Sequence, residues 1–228
     1  MPQILLEVIV STVADACEAA KGGADRLEVV RDIARGGLTP PLELVRAIAA
    51  ETRLPLRVMV RENDGFETNG AELEALRRAA ADFAAAGIDG IVLGFARDGR
   101  PLLDDVRRVV DAAPATPVTY HRAFDTLRDP VRAIGQLSAI PQLDRILTDG
   151  GQGSHAARCD RLRRLSAAAG KRMTIIAGSN VDEAMLSVIA ATGCVREVHV
   201  GRAARPSYDR DVTVSADLVR RLRHVAGL

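Results

Sequence analysis

A single (β/α)8 (TIM) barrel spanning residues 1–228 is the fold this sequence predicts, and three observations predict it. Strand-sized apolar runs alternate with helical patterns eight times along the chain. At 228 residues and 47% hydrophobic, the chain can bury a sizeable core and falls in the size range where an α/β barrel is one domain. The first run is followed by Val10-Ser11-Thr12-Val13-Ala14, with no glycine to receive a pyrophosphate, so the open dinucleotide-binding sheet lacks its signature.

In order, the units read Ile4 to Val10 then Thr12 to Lys21, Arg26 to Val30 then Pro41 to Glu51, Leu56 to Arg61 then Ala71 to Ala86, and Gly90 to Gly94 then Leu103 to Ala112. The second half gives Val118 to His121 then Asp129 to Ala139, Arg145 to Thr148 then His155 to Ala169, Thr174 to Ala177 then Asp182 to Ala191, and Glu197 to Val200 then Ser215 to His224. Short echoes join a helix end to the next strand at residues 22–28, 86–92, 143–147 and 196–200. In the first two, glycine supplies the positive φ that ends a helix. A charged residue then marks the strand entrance before the apolar run. Eight such units close most economically into a barrel without edges.

Composition narrows the function classes. Thirty-one basic against thirty acidic residues leave a net charge of +1, which gives no broad field for nucleic acid or an anionic membrane. Aromatic residues are 3% and tryptophan is absent, so stacking platforms for single strands are missing. Residues 1–10 lack the pattern of a secretory signal, and apolar stretches are strand-sized, so a cytoplasmic protein is expected. Cys17, Cys159 and Cys194 have no C-x-x-C spacing and predict neither a disulfide framework nor a zinc knuckle.

In a parallel barrel, catalytic groups gather at the C-terminal strand ends, so polar residues inside apolar strands stand out. Glu7, Glu28, His121 and His199 are the candidate proton-transfer groups, with Asp125 placed to orient the His121 ring or to cap the next segment. Arg61 and Arg122 are the expected partners of the buried glutamates, because an ionised carboxylate without one is costly to bury. A plain barrel-filling ion network, with Arg26 on the same face as Glu28, accounts for each glutamate taken singly. His155 and His224 lie on helical faces and are expected to be solvated. Thr148 and Gly150, Gly178 and Ser179, and Gly201 and Arg202 follow the last three strands, where small residues and a helix N-terminus favour an anion. Residues 64–70 are rich in polar residues and glycine and are expected to lie over the mouth.

The stretches Leu6-Glu7-Val8, Gly23-Ala24-Asp25-Arg26-Leu27-Glu28, Gly36-Gly37-Leu38-Thr39-Pro40, Val58-Met59-Val60-Arg61, His121-Arg122-Ala123-Phe124-Asp125 and Arg145-Ile146-Leu147-Thr148 occur in the order found in the CutC family, which the chain resembles over nearly its whole length. The resemblance implies a barrel, a homodimer and a role in copper homeostasis. It puts Glu7, Glu28, Arg61, His121, Arg122, Asp125, Thr148 and His199 on the family's pocket positions. Many family members carry cysteines two residues after each of the first two strand glutamates, proposed as copper ligands; here those positions hold Ile9 and Val30. Thiolate binding of copper at that place is thereby excluded, and copper as a cofactor rests on resemblance alone.

Two readings of function follow. One is copper binding and homeostasis, through imidazole and carboxylate ligands. The other is metal-independent acid–base catalysis on a small anionic metabolite, phosphorylated or carboxylated and sugar-like, with Glu28 and His121 transferring protons and Arg61 holding the anion. A barrel that serves a partner protein is the third and blandest possibility.

Overall fold

The structure, a computed structural model, describes residues 4–227. Eight parallel strands form a closed barrel: β1 (Leu5–Val10), β2 (Arg26–Val29), β3 (Leu56–Met59), β4 (Gly90–Leu93), β7 (Val118–Tyr120), β8 (Leu143–Thr148), β9 (Thr174–Ala177) and β10 (Glu197–Val200). Two very short strands, β5 (Ala96–Arg97) and β6 (Arg100–Pro101), pair as an antiparallel hairpin after β4. That hairpin is an addition to the eight expected units. Its Asp98-Gly99 pair takes φ of 51° and 73°, the two-residue turn that Asp-Gly favours.

The helices are α1 (Val13–Lys21), α2 (Leu42–Glu51), α3 (Gly70–Ala85), α4 (Leu103–Val110), α5 (Pro130–Leu137), α6 (His155–Ala169), α7 (Glu183–Thr192) and α8 (Ala216–Val225). Their starts are written in the sequence. Thr12, Asn69, Asp129, Ser154, Asp182 and Ser215 each accept a backbone N–H of the first turn, and Asn69 and Glu72 complete a reciprocal capping box. No helix among the described residues is long and apolar enough to cross a membrane.

Strand alternation separates two interiors. Leu6, Val8, Val10, Leu27, Val29 and Val58 point outward, join the core beneath the helices and are fully buried. The other face of the strands fills the lumen, and its lower part is charged. Glu7 lies level with Arg26 on one side and His199 on the other, because β1 pairs with β2 and β10 in that register. Arg57 reaches across the lumen to Asp144 at 2.9 Å and to Asp89 at 3.1 Å. It has room because the neighbouring position on β4 is Gly90, where a Cβ would come within 2.6 Å of the guanidinium.

Candidate active site at the barrel mouth

The site is built on a layer of paired charges. Arg26 donates through Nε to Glu7 at 2.5 Å and through Nη2 to Glu197 at 2.6 Å, and Arg145 also reaches Glu197 at 2.9 Å. Burial pushes the Glu7 carboxyl up, but Arg26 and His199 outweigh it and hold Glu7 far below the usual carboxylate range. Burial likewise opposes the charge on Arg26, and Glu7 and Glu197 more than restore it. Glu7 is therefore a fixed anion. It accepts a 2.8 Å hydrogen bond from His199 Nδ1, which turns His199 Nε2 toward Glu28 Oε2, 3.8 Å away.

Glu28 differs from Glu7 although both are buried glutamates on adjacent strands. Its Oε1 has no hydrogen-bond partner among the described residues. Burial, opposed by His199 and reinforced by Glu7, raises its carboxyl to about 7. Burial lowers His199, while Glu28 and Glu7 raise it to a net upward shift. Glu28 and His199 thus form a coupled pair in which each favours a proton, with Glu7 holding the imidazole in place.

His121 follows β7 directly and caps the short helical turn at Arg122–Thr126. Its Nδ1 accepts the Ala123 N–H at 3.1 Å, which assigns the proton of the neutral ring to Nε2. That Nε2 is buried and has no partner among the described residues. Burial, with Arg61 and Arg122 nearby, lowers the ring to about 3, so His121 is a neutral donor at physiological pH. Of the two rings, His199 is the one that comes within 4.0 Å of a Glu28 oxygen among the described residues. The ring fits because residue 94 is glycine: a Cβ there would lie 2.6 Å from His121 Nδ1. Phe66, from the loop after β3, packs on it with ring centroids 5.4 Å apart.

Glu28, His121 and His199 open into a cavity of about 530 Å³ at the C-terminal strand ends, a volume suited to a small metabolite. Of the other predicted residues, Arg61, Arg122, Ser179, Gly201 and Arg202 line it. Glu7, Asp125, Thr148, Gly150 and Gly178 do not; their polar atoms are spent in the frame around it. Thr148 donates to Asp125 at 2.6 Å and accepts the Gly150 N–H, while the Gly178 N–H goes to the Thr148 carbonyl. Arg158 on α6 donates to the carbonyls of Asp149 and Ser179, both at 2.8 Å, fastening the loops after β8 and β9 together.

Two pairings expected from sequence are replaced. Arg61 and Arg122 do not pair with the glutamates. Arg61 donates to the carbonyls of Asp64, Gly65, Gly36 and Gly37, and Arg122 pairs with Asp125 at 3.0 Å. Asp125 accordingly binds Arg122, Thr148 and the Asp149 N–H, and leaves the His121 ring to the Ala123 amide. The cause is register: Arg26 lies level with Glu7 inside the lumen, whereas residues 61 and 122 lie beyond the strand ends. Arg61, Arg202 and Arg210 all line the cavity, and among the described residues none has a carboxylate partner within 4.0 Å.

Sequence reading missed Arg205. It is 2% exposed, donates to Asp15 at 3.0 Å, lines the cavity, and keeps Nε and Nη1 without partners among the described residues. Its only signal was an arginine three residues after Arg202. Gly94 and Phe66 were also missed, since a glycine at a strand end and a lone aromatic in a loop carry no motif.

A thiolate copper site does not fit the donor set. Glu7, Glu28 and His199 bring one donor atom each within 4.8 Å of one another, but Glu7 is already committed to Arg26 and His199. One carboxylate and one imidazole nitrogen remain. Ile9 and Met59 line the cavity wall, and Cys159 and Cys194 lie buried against each other with sulfurs 2.8 Å apart, away from the mouth. Cu(I) would find no thiolate there.

Known proteins agree with this architecture. The sequence profile of the CutC family matches residues 4–204. A CutC family protein of Xanthomonas campestris pv. campestris (strain B100) is 33% identical over 196 residues, covering 85% of this chain and 81% of its own. One from Agrobacterium fabrum is 35% identical over 217 residues, covering 93% of this chain and 84% of its own. The crystal structure of the putative copper homeostasis protein CutC from Streptococcus agalactiae superposes with a TM-score of 0.79 at 24% identity, over 87% of this chain and 98% of that one. The chain is a member of the CutC family.

Proposed function

We propose that the mouth of the barrel is an acid–base site for a small anionic metabolite. One observation carries the reading: a buried carboxyl oxygen of Glu28 and a buried ring nitrogen of His121, both without partners among the described residues, belong to residues lining the same cavity. Leaving a buried polar atom unpaired costs about 1–3 kcal/mol, a cost that a bound ligand removes. Glu28, with its carboxyl near 7, is suited to take and return a proton at neutral pH, and His199 can receive it. His121 supplies a fixed N–H to a ligand oxygen on which charge develops. Arg61 and Arg202 supply positive charge that no carboxylate of the described chain neutralises. Proton abstraction beside a carbonyl, with the oxygen held by His121, is the reaction class that uses all of these groups.

The test is a thermal-shift screen of carboxylated and phosphorylated metabolites, followed by deuterium exchange into each stabilising ligand in D2O. Ligand at a hundredfold excess over its Kd adds about 2.7 kcal/mol of stability, which the melt resolves. Exchange catalysed by wild type and lost in Glu28→Gln supports the reading. Stabilising ligands whose binding ignores Arg202→Ala and whose hydrogens never exchange would contradict it.

A further inference from the structure

The lumen at mouth level is not uniformly polar. Ile9, Val30, Met59 and Val92, one from the end of each of four consecutive barrel strands, pack as an apolar cluster separate from the core beneath the helices, and Ile33 leans on it. Ile9, Ile33 and Met59 from this cluster line the cavity, and Phe66, Leu147 and Val181 extend the apolar wall. Charge borders it: Arg202 follows β10, and Arg61, two residues past Met59, lies over the Phe66 ring 5.2 Å from its centroid.

Uncharged hydrogen-bonding side chains are sparse by comparison. Ser179, Asn180 and Tyr208 line the cavity, and the Asn180 side-chain Oδ1 already accepts from Arg202. A polyol body laid on the Ile9–Ile33–Met59 arc would set its hydroxyls against hydrocarbon, and each one buried there without a partner weakens binding by about tenfold. Each methylene laid on the same surface strengthens it by about fourfold. The wall therefore discriminates between ligands with the same anionic head.

We infer that the ligand is an amphipathic anion, a carboxylate or phosphate joined to an aromatic or aliphatic body that rests on Ile9, Ile33, Met59 and Phe66, and not a sugar-like molecule. This rests on the acid–base reading above for the anionic head and adds the chemistry of the remainder. Arg202 and Arg61 hold the head. The body then reaches over the apolar arc and shields Glu28 from water.

Calorimetric titration of the full chain with matched pairs tests it: phenyl phosphate against glycerol phosphate, and phenylacetate against glycerate, with inorganic phosphate as the bare head. The expected result is binding at least about tenfold tighter for the apolar member of one or both pairs, with the ratio cut to about threefold or less in Ile9→Ser and in Met59→Ser. The pair showing the preference tells phosphate from carboxylate. Equal or tighter binding of the hydroxylated members by wild type overturns the inference whether or not the variants fold. If that binding still falls in Arg202→Ala, the anion site stands and only the amphipathic ligand is lost. If none of the five compounds binds, the inference and the anion site fall together.

Discussion

Glu7 and Glu28 sit on adjacent strands of one barrel, both 2% exposed, and behave as opposites. Below, Glu7, Glu197, Arg26 and Arg145 each have a charged partner, and Asp144, shared by Arg145 and Arg57, joins them to the Arg57–Asp89 pair in one network. Above, Glu28 Oε1 and His121 Nε2 have none among the described residues. Burial alone therefore does not separate structure from function in a barrel lumen; completed pairing does. A satisfied charge is explained by folding, whereas an unsatisfied one is a standing cost that persists where a ligand relieves it.

The largest expected effect breaks the lower set. Arg26→Met leaves Glu7 and Glu197 without their shared cation and should cost about 3–5 kcal/mol in urea unfolding. A loss below about 1 kcal/mol would mean that the lower charges are not a structural unit.

The mouth should respond the other way, in chemistry more than in stability. Glu28→Gln and His121→Asn are each expected to slow ligand hydrogen exchange by at least about a hundredfold, with unfolding free energy at neutral pH within about 1–2 kcal/mol of wild type. Gly94→Ala should reproduce the His121→Asn defect, because the new Cβ would lie 2.6 Å from the ring nitrogen that accepts the Ala123 amide. A Gly94→Ala protein with wild-type exchange would show that ring placement is unimportant.

A smaller effect depends on pH. The Glu28 carboxyl stands near 7 in the folded chain against 4.5 for an ordinary glutamate. Below pH 4.5 both folded and unfolded chains hold the proton, so its contribution to stability is fully present. As pH rises through 7 the folded chain must ionise a buried acid that the unfolded chain has already ionised, and the contribution is lost. Glu28→Gln should therefore gain about 2–3 kcal/mol relative to wild type between about pH 4 and about pH 8 in paired denaturation curves. His121 has the opposite sign in its own window, from 6.5 down to about 3, and is common to both proteins. A flat difference would place Glu28 with Glu7 as a fixed anion.

The smallest effect on the fold is expected at the rim. Arg202→Ala should leave stability within about 0.5 kcal/mol, since its partner is the neutral Asn180 side chain, yet weaken anion binding by about tenfold in calorimetry. Unaltered affinity would remove Arg202 from the site.

Much of this was legible in the sequence, for identifiable reasons. Period-two alternation in β1, β2 and β10 put Glu7, Glu28 and His199 on the lumen face. Pairing was not legible, because the level of Arg26 against Glu7 depends on inter-strand register, which no local pattern records. The loops were half legible. Ser179 and Gly201 line the cavity, but Thr148 and Gly150 turn their donors and acceptors to the loop itself, and the buried Arg205 arrives from the irregular segment after β10. His121 was recognised as a mouth residue, yet its neutral state follows from the Ala123 amide and the enclosing side chains, which only the folded chain assembles.

Glu28 is the buried carboxyl expected to titrate at the mouth, and Glu7 is expected to stay ionised. Infrared difference spectroscopy across a pH titration, comparing wild type with Glu28→Gln, measures it through the carbonyl band of a protonated carboxylic acid. The account predicts a band present at mildly acidic pH, lost with a midpoint near 7 and missing from Glu28→Gln. A wild-type spectrum with no such band above pH 4.5 would contradict it.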